Sequence, residues 1–326
     1  MAGFVLFLTF RRNVELFLII LHLTSHQALS SANFSPSVHA FFYLWYGIPE
    51  FDDEYLHWNH KVLPHWETSV NDQYPTIGKG HKPPENIHSP YYPLHGPYST
   101  KDPKNLASQF SSMNAAKITV AVLSWWGQPS NINSRDTQGV TSDLVMHDVF
   151  HAADKDGQIK LAFHLEPYHS RSVESIRSDI EYIILSYGNY SSILRGKDGR
   201  PLFYVYDSYH IDPTQWQRLL SPQGDITVRD TPYDSVFIGL WLESHHGHDL
   251  KTGGFDGVYT YFASDGFSYG SSTSNWETIS AFSKVNQLLC ILSVGPGYED
   301  TSIRPWNAHN SKPRRSVLSS RLLFLI

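Results

Sequence analysis

Along this chain, apolar positions gather into short runs rich in β-branched and aromatic residues, separated by longer stretches in which they recur at helical spacing. The runs occupy residues 38–47 (VHAFFYLWYG), 117–127 (KITVAVLSWWG), 159–168 (IKLAFHLEPY), 201–209 (PLFYVYDSY), 235–244 (SVFIGLWLES), 255–264 (FDGVYTYFAS) and 288–298 (LLCILSVGPGY), which predicts seven strands. Helical patterns lie near residues 104–116, 141–156, 172–187, 213–220 and 276–287, several opened by Asp, Ser or Pro, residues that cap or start helices. Strand and helix in alternation is the pattern of βα units around a parallel sheet. It predicts an α/β fold of the (β/α)8 TIM-barrel type. Connections are short except for residues 48–116, and no repeat, linker or composition break interrupts the chain from 38 to 310, so one domain is expected over residues 37–310.

The N-terminus follows a different pattern. Residues 1–36 hold two apolar runs split by Arg11, Arg12 and Glu15, and the second, residues 16–23, is too short to span a bilayer. With Ala28, Ser30, Ser31 and Ala32 behind it, the segment reads as a signal peptide or signal anchor with a short stem. The sequons at Asn33 and Asn189 agree with a secretory route, as glycosylation candidates.

Composition narrows the classes. Lys and Arg number 25 against 31 Asp and Glu, a formal charge of −6, with no basic stripe to follow a phosphate backbone; nucleic acid is not an expected partner. Cys290 is the single cysteine, so neither an intrachain disulfide nor a thiolate zinc cluster is available. The histidine groups His57, His60 and His65, and His245, His246 and His248, lack the spacing of a zinc hydrolase, and no metal or other cofactor is expected. There is no G-x-S-x-G elbow, P-loop or dinucleotide fingerprint.

Candidate chemistry gathers at the C-terminal strand ends, which in such a barrel converge on one face. These ends carry Tyr43, Trp45 and Tyr46; Trp125 and Trp126; His164, Glu166 and Tyr168; Tyr206, Asp207 and Tyr209; Trp241 and Glu243; Tyr259, Tyr261 and Phe262; and Tyr298. Rings with a few carboxylates suit sugars, since ring faces stack on the C–H faces of a pyranose while carboxylates and imidazoles bond its hydroxyls.

The segments FFYLWYGIPEFDDEYLHWNHKVLPHW, HSPYYPLHGPYSTKDP, LSWWG, FHLEPYHSR, PLFYVYDSYHI, FDGVYTYFASDGFSYGSS and SVGPGYEDTSIRPWN together resemble the glycoprotein endo-α-1,2-mannosidase family, glycoside hydrolase family 99. The resemblance runs from about Val38 to Asn310. It implies a barrel in the Golgi, lumenal or membrane-held, that cleaves glucosylated mannose internally from N-glycans with retention of configuration and no metal. One carboxylate would help the mannose 2-hydroxyl attack its own anomeric centre while another acts as acid. It further implies that Glu166 holds the reacting mannose with Tyr46 and Tyr261, and that Trp125 and Trp126 flank the next sugar. Tyr168, Asp207, Tyr209, Arg304 and Trp306 complete the expected substrate-binding set.

The sequence departs from that family at one place. The catalytic pair would come from a Glu-Trp-His-Glu motif ending the eighth strand, and no such motif occurs here, so no acid/base residue is assigned. After Asn310 the chain reads SKPRRSVLSSRLLFLI, without a carboxylate; residues 311–326 are expected to be an aberrant tail from read-through or a misassembled frame. The eighth strand and last helix are then missing, and the first and seventh strands should face a gap. Three readings follow: an endomannosidase lacking its catalytic segment, an inactive glycan-binding form, and a chain that does not fold. A weaker fourth uses Glu166 with Asp207 or Glu243 as an acid/base pair, which needs carboxyls about 5 or 8 Å apart.

Overall fold

The computed structural model of the chain describes residues 20–23 (backbone only), 34–35, 37–261, 265–295 and 297–311. Seven parallel strands appear where the apolar runs predicted them: β2 (Val38–Phe42), β3 (Val120–Trp125), β4 (Lys160–Leu165), β5 (Leu202–Val205), β6 (Val236–Leu240), β7 (Gly257–Tyr259) and β8 (Leu289–Val294). Each pairs with the next in sequence, β3 with β4 from Val120↔Lys160 to Trp125↔Leu165.

No eighth parallel strand is found among the described residues, as expected, but the gap does not stay open. A four-residue strand, β1 (Ile20–Leu23), lies between β2 and β8, antiparallel to each, with Leu21 opposite His39 on one side and Ser293 on the other. The eight strands form a closed barrel in chain order. Unpaired ladder edges demand donors and acceptors, and an extended segment of either direction supplies them. Residues 20–23, expected to belong to a signal-type apolar run, are thus sheet. Residues 1–19, Asn33 and the tail beyond Ser311 lie outside the described residues.

The helices are α1 (Pro49–Asp52), α2 (Thr68–Asn71), α3 (Pro103–Ala115), α4 (Met146–Asp156), α5 (Val173–Tyr187), α6 (Pro213–Leu220), α7 (His246–Gly253) and α8 (Trp276–Val285). Local chemistry sets their ends. Asp102 accepts the Lys104 N–H to open α3, a Ser172–Ser175 capping box opens α5, and Gly157 closes α4 in the left-handed region at φ 75°. No described helix is long and apolar enough to cross a membrane.

Strand alternation divides the core in two. Ala121, Leu123, Phe163, Phe203, Phe237 and Val258 face the helices and pack on Leu106, Phe150, Ile180 and Leu219. Phe41, Val122, Ala162, Tyr204, Ile238, Tyr259 and Ile291 fill the barrel. Each such ring or branched chain, fully buried, stabilises the fold by roughly 1.5–3 kcal/mol. His39 is buried inside on Tyr204, 2.8 Å from Nδ1 to the phenol oxygen, and burial pushes its pKa down to about 3.

Candidate active site

Glu166 ends β4 with 5% exposure and is held from two sides. Its Oε1 accepts the Ser124 hydroxyl at 2.7 Å and lies 2.8 Å from His164 Nδ1. His164 Nε2 is 2.9 Å from the Tyr259 hydroxyl. His164 Nδ1 donates to the Glu166 carboxylate while Nε2 meets the Tyr259 hydroxyl, which makes a chain Tyr259–His164–Glu166. The strand-end glutamate is therefore an oriented acceptor whose second oxygen is left for another donor.

Rings wall this carboxylate. Tyr43 and Tyr261 bring their hydroxyls to 2.8 Å, Tyr261 stacks over His164 with centroids 5.9 Å apart, and Tyr206 lies 5.1 Å from His164 and 4.9 Å from Tyr261. Burial raises the pKa of Tyr43, Tyr206, Tyr259 and Tyr261 above the ordinary phenol value, so these groups stay neutral and able to donate. Trp45 stacks on Tyr43 at 4.5 Å and on His57 at 4.4 Å. The buried indole N–H groups of Trp45, Trp126 and Trp241 find no acceptor among the described residues.

The long segment after β2 is fastened beside this wall. His57 Nε2 bonds Asp136 Oδ2 at 2.7 Å, and the other Asp136 oxygen accepts the Gln138 and Val140 N–H groups. His60 and His81 reach backbone carbonyls, and His246 Nδ1 accepts from Leu242 and Glu243 N–H, so these histidines serve loop structure. No cluster of three or more His, Cys, Asp or Glu side chains suited to a metal occurs among the described residues.

The expected substrate-binding residues divide by position. Tyr261 lies over His164, the partner of Glu166, and bonds the Tyr43 hydroxyl at 2.8 Å, whereas Tyr46 stacks on Trp58 at 4.4 Å and approaches His88 at 5.9 Å. Trp125 does not reach the bowl: it is 1% exposed on the helix side of the sheet, with its indole N–H on Asp143 at 2.7 Å and its ring on Tyr182 of α5. Trp126 lies one residue past the end of β3, with its backbone N–H on Ser142 Oγ at 2.9 Å. Tyr168 is buried against Asp179. Asp207 holds a left-handed backbone at φ 46°, its carboxyl raised above the usual range by burial, and its carbonyl accepts from Arg171 at 2.9 Å. Tyr209 stacks on His246 at the rim. Arg304 pairs with Asp300 at 3.2 Å, while Trp306 bonds the Leu63 carbonyl and packs on His65 and Trp66. Glu243 is exposed where Glu166 is buried, and Asn189 is also exposed. Ser124 escaped the sequence reading; its inward parity on β3, two residues before Trp126, was the available signal.

Residues 33–318 match the family model described as Glycosyl hydrolase family 99. A Danio rerio glycoprotein endo-α-1,2-mannosidase-like protein is 46% identical over 282 residues, covering 85% of this chain and 62% of the relative. The glycoprotein endo-α-1,2-mannosidase of Mus musculus is 45% identical over 281 residues, covering 85% and 59%. The chain thus spans about three fifths of the length of these relatives. The family 99 endo-α-mannosidase structure from Bacteroides thetaiotaomicron superposes with TM-score 0.75 at 35% identity, over 85% of this chain and 76% of that one.

Proposed function

The chain belongs to glycosyl hydrolase family 99, and from that premise we propose that its bowl binds a mannose-containing oligosaccharide of the glucosylated N-glycan type, as an endo-α-1,2-mannosidase does. The observation that carries this reading is the buried Glu166, fixed by Ser124 and His164 among Tyr43, Tyr206 and Tyr261. Such a site bonds equatorial and axial hydroxyls through fixed acceptors and donors, and stacks the sugar's C–H face.

Hydrolysis needs two placed carboxyl groups, one acid and one base. Glu166 is committed to orientation, and the Glu-Trp-His-Glu motif that the family resemblance makes catalytic does not occur in these residues. On this reading Glu166 binds the glycan, and no acid/base pair is assigned among these residues. Action in the Golgi, on a lumenal or membrane-held protein, belongs to the same proposal; the sequons at Asn33 and Asn189 agree with a secretory route. The test is calorimetric titration of the full chain with an α-1,2-linked mannose oligosaccharide beside an assay for released product. Saturable binding is expected; turnover would assign an acid/base pair, such as Glu166 with Asp207, to these residues, and absence of binding would remove the glycan reading.

A further inference from the structure

Asp179 lies on α5, 3% exposed, and nothing described so far uses its charge. One carboxylate oxygen accepts the Gln128 side-chain amide at 3.0 Å, and the other accepts the Tyr168 hydroxyl at 2.5 Å. Gln128 stands two residues past Trp126, and Tyr168 two past Glu166. We propose that Asp179 is a positioning residue for the bowl, fixing the spacing between the strand-end loops that carry Trp126 and Glu166 by holding one with each oxygen. The inference rests on the glycan reading of that bowl.

The loops meet directly as well as through Asp179. Gly127 sits between Trp126 and Gln128 at φ +104°, and a Cβ there would come 2.3 Å from Ser134 Oγ and 3.2 Å from a ring carbon of Tyr168. The contact admits only glycine. On the Glu166 side the Tyr168 N–H bonds the Glu166 carbonyl at 3.0 Å, so a shift of the phenol is passed to the glutamate within two residues. On the Trp126 side the backbone N–H bonds Ser142 Oγ at 2.9 Å, leaving Gln128 as the next anchor.

The charged and titratable groups around Asp179 are Tyr168 and Arg171 from the loop after β4, and Asp143 from the turn before α4. Burial is the largest influence and pushes the carboxyl up to about 6; the bonds from Tyr168 and Gln128 and the nearby Arg171 act in the other direction, and Asp143 adds to burial. When ionised, Asp179 accepts both bonds with charge assistance. When protonated it donates from one oxygen: on the Tyr168 side the bond reverses and the phenol turns its proton to Ser175 Oγ at 2.7 Å, and on the Gln128 side the bond from the amide is lost. Alignment of the two loops is therefore tightest above about pH 6 and loosens below.

The experiment uses the full chain with 15N-labelled tryptophan. Without sugar, the Trp126 indole signal, identified by its loss in Trp126→Phe, is expected to shift with pH about a midpoint near 6 and to lose that shift in Asp179→Asn. With an α-1,2-linked mannose oligosaccharide, Asp179→Asn is expected to bind roughly five- to tenfold more weakly near neutral pH, with a flattened pH profile, while melting no lower than the parent. A residue with only a structural role would lose melting temperature and leave the profile in place. If Asp179→Asn does not fold, Tyr168→Phe, which removes one hydroxyl, is expected to abolish the same pH shift. An unchanged profile and affinity in these variants, or no titration of the indole signal in the parent, overturns the proposal. If the parent binds no sugar while the indole titration depends on Asp179, positioning stands and the glycan reading falls.

Discussion

The pairing of β3 with β4 and the seam that β1 closes are two parts of one barrel built in different ways. β3 and β4 are six residues each, parallel, paired along their whole length and buried on both faces by rings and branched chains. At the seam, four residues from far upstream run against the direction of both neighbours. The Glu166 carboxylate stands at the end of the first pair, where Ser124 of β3 and His164 of β4 hold it. A family whose catalytic carboxylates are expected on an eighth strand has, in this chain, a short antiparallel segment at that place. The difference teaches that binding geometry and barrel closure come from separate parts of the sheet, so one is open to damage without the other.

The comparison is sharpest under the same substitution in each region. Val122→Pro in β3 removes a ladder N–H and drives a ring into a packed strand, with an expected loss of about 3 kcal/mol or more; denaturant unfolding should find little folded protein. Leu21→Pro in β1 is expected to lose less than half as much, because only a four-residue strand is disturbed. Equal losses would mean that the seam is as cooperative with the barrel as β3 is.

Leu161→Ala, at a fully buried position of β4, should cost about 2–5 kcal/mol through the cavity it leaves. Glu166→Ala should cost roughly 1.5–3 kcal/mol of glycan binding through the lost charged acceptor. Stability readings and sugar affinity, taken together on these two variants, separate packing from recognition.

Acidity provides a smaller and more graded test. His39, His60 and His88 are buried with folded pKa values pushed down to about 3, 4 and 3, below the unfolded value of about 6.5. The unfolded chain then binds more protons, so stability rises with pH between about 4 and 6.5, by at most about 1.4 kcal/mol per pH unit for each such histidine. Asp179 acts in the opposite sense: its raised folded pKa near 6 makes the native state bind the extra proton, so its contribution falls as pH rises from about 4 to 6 and is flat above. Urea midpoints measured across this range should climb overall, and climb more steeply in Asp179→Asn.

Much of the barrel was legible because long, apolar, β-branched runs such as residues 117–127 and 159–168 admit few other readings. Helix α7 was missed because HGHDLKTG carries one branched apolar residue and two histidines, and takes its place from the packing of Leu250 and Gly247 rather than from periodicity. β1 was missed because an apolar run near the N-terminus reads as a targeting segment whatever sheet edge it later meets. In the site, residue type draws attention to Glu166 and Tyr261, but two adjacent tryptophans look alike in sequence. Strand parity turns Trp125 to the helix side, where its indole N–H meets Asp143. The partner of Tyr261 proved to be Tyr43 for the same reason, since it is Tyr43 that continues the inward parity of Phe41.

The central claim is that the Glu166 cluster makes the bowl a mannose-oligosaccharide site, and calorimetric titration of the full chain and of Glu166→Ala with an α-1,2-linked mannose oligosaccharide tests it most directly. The account predicts saturable binding by the parent chain and at least about tenfold weaker binding by a variant that melts like the parent. Equal affinity in the two proteins, or no binding by a folded parent chain, would contradict it.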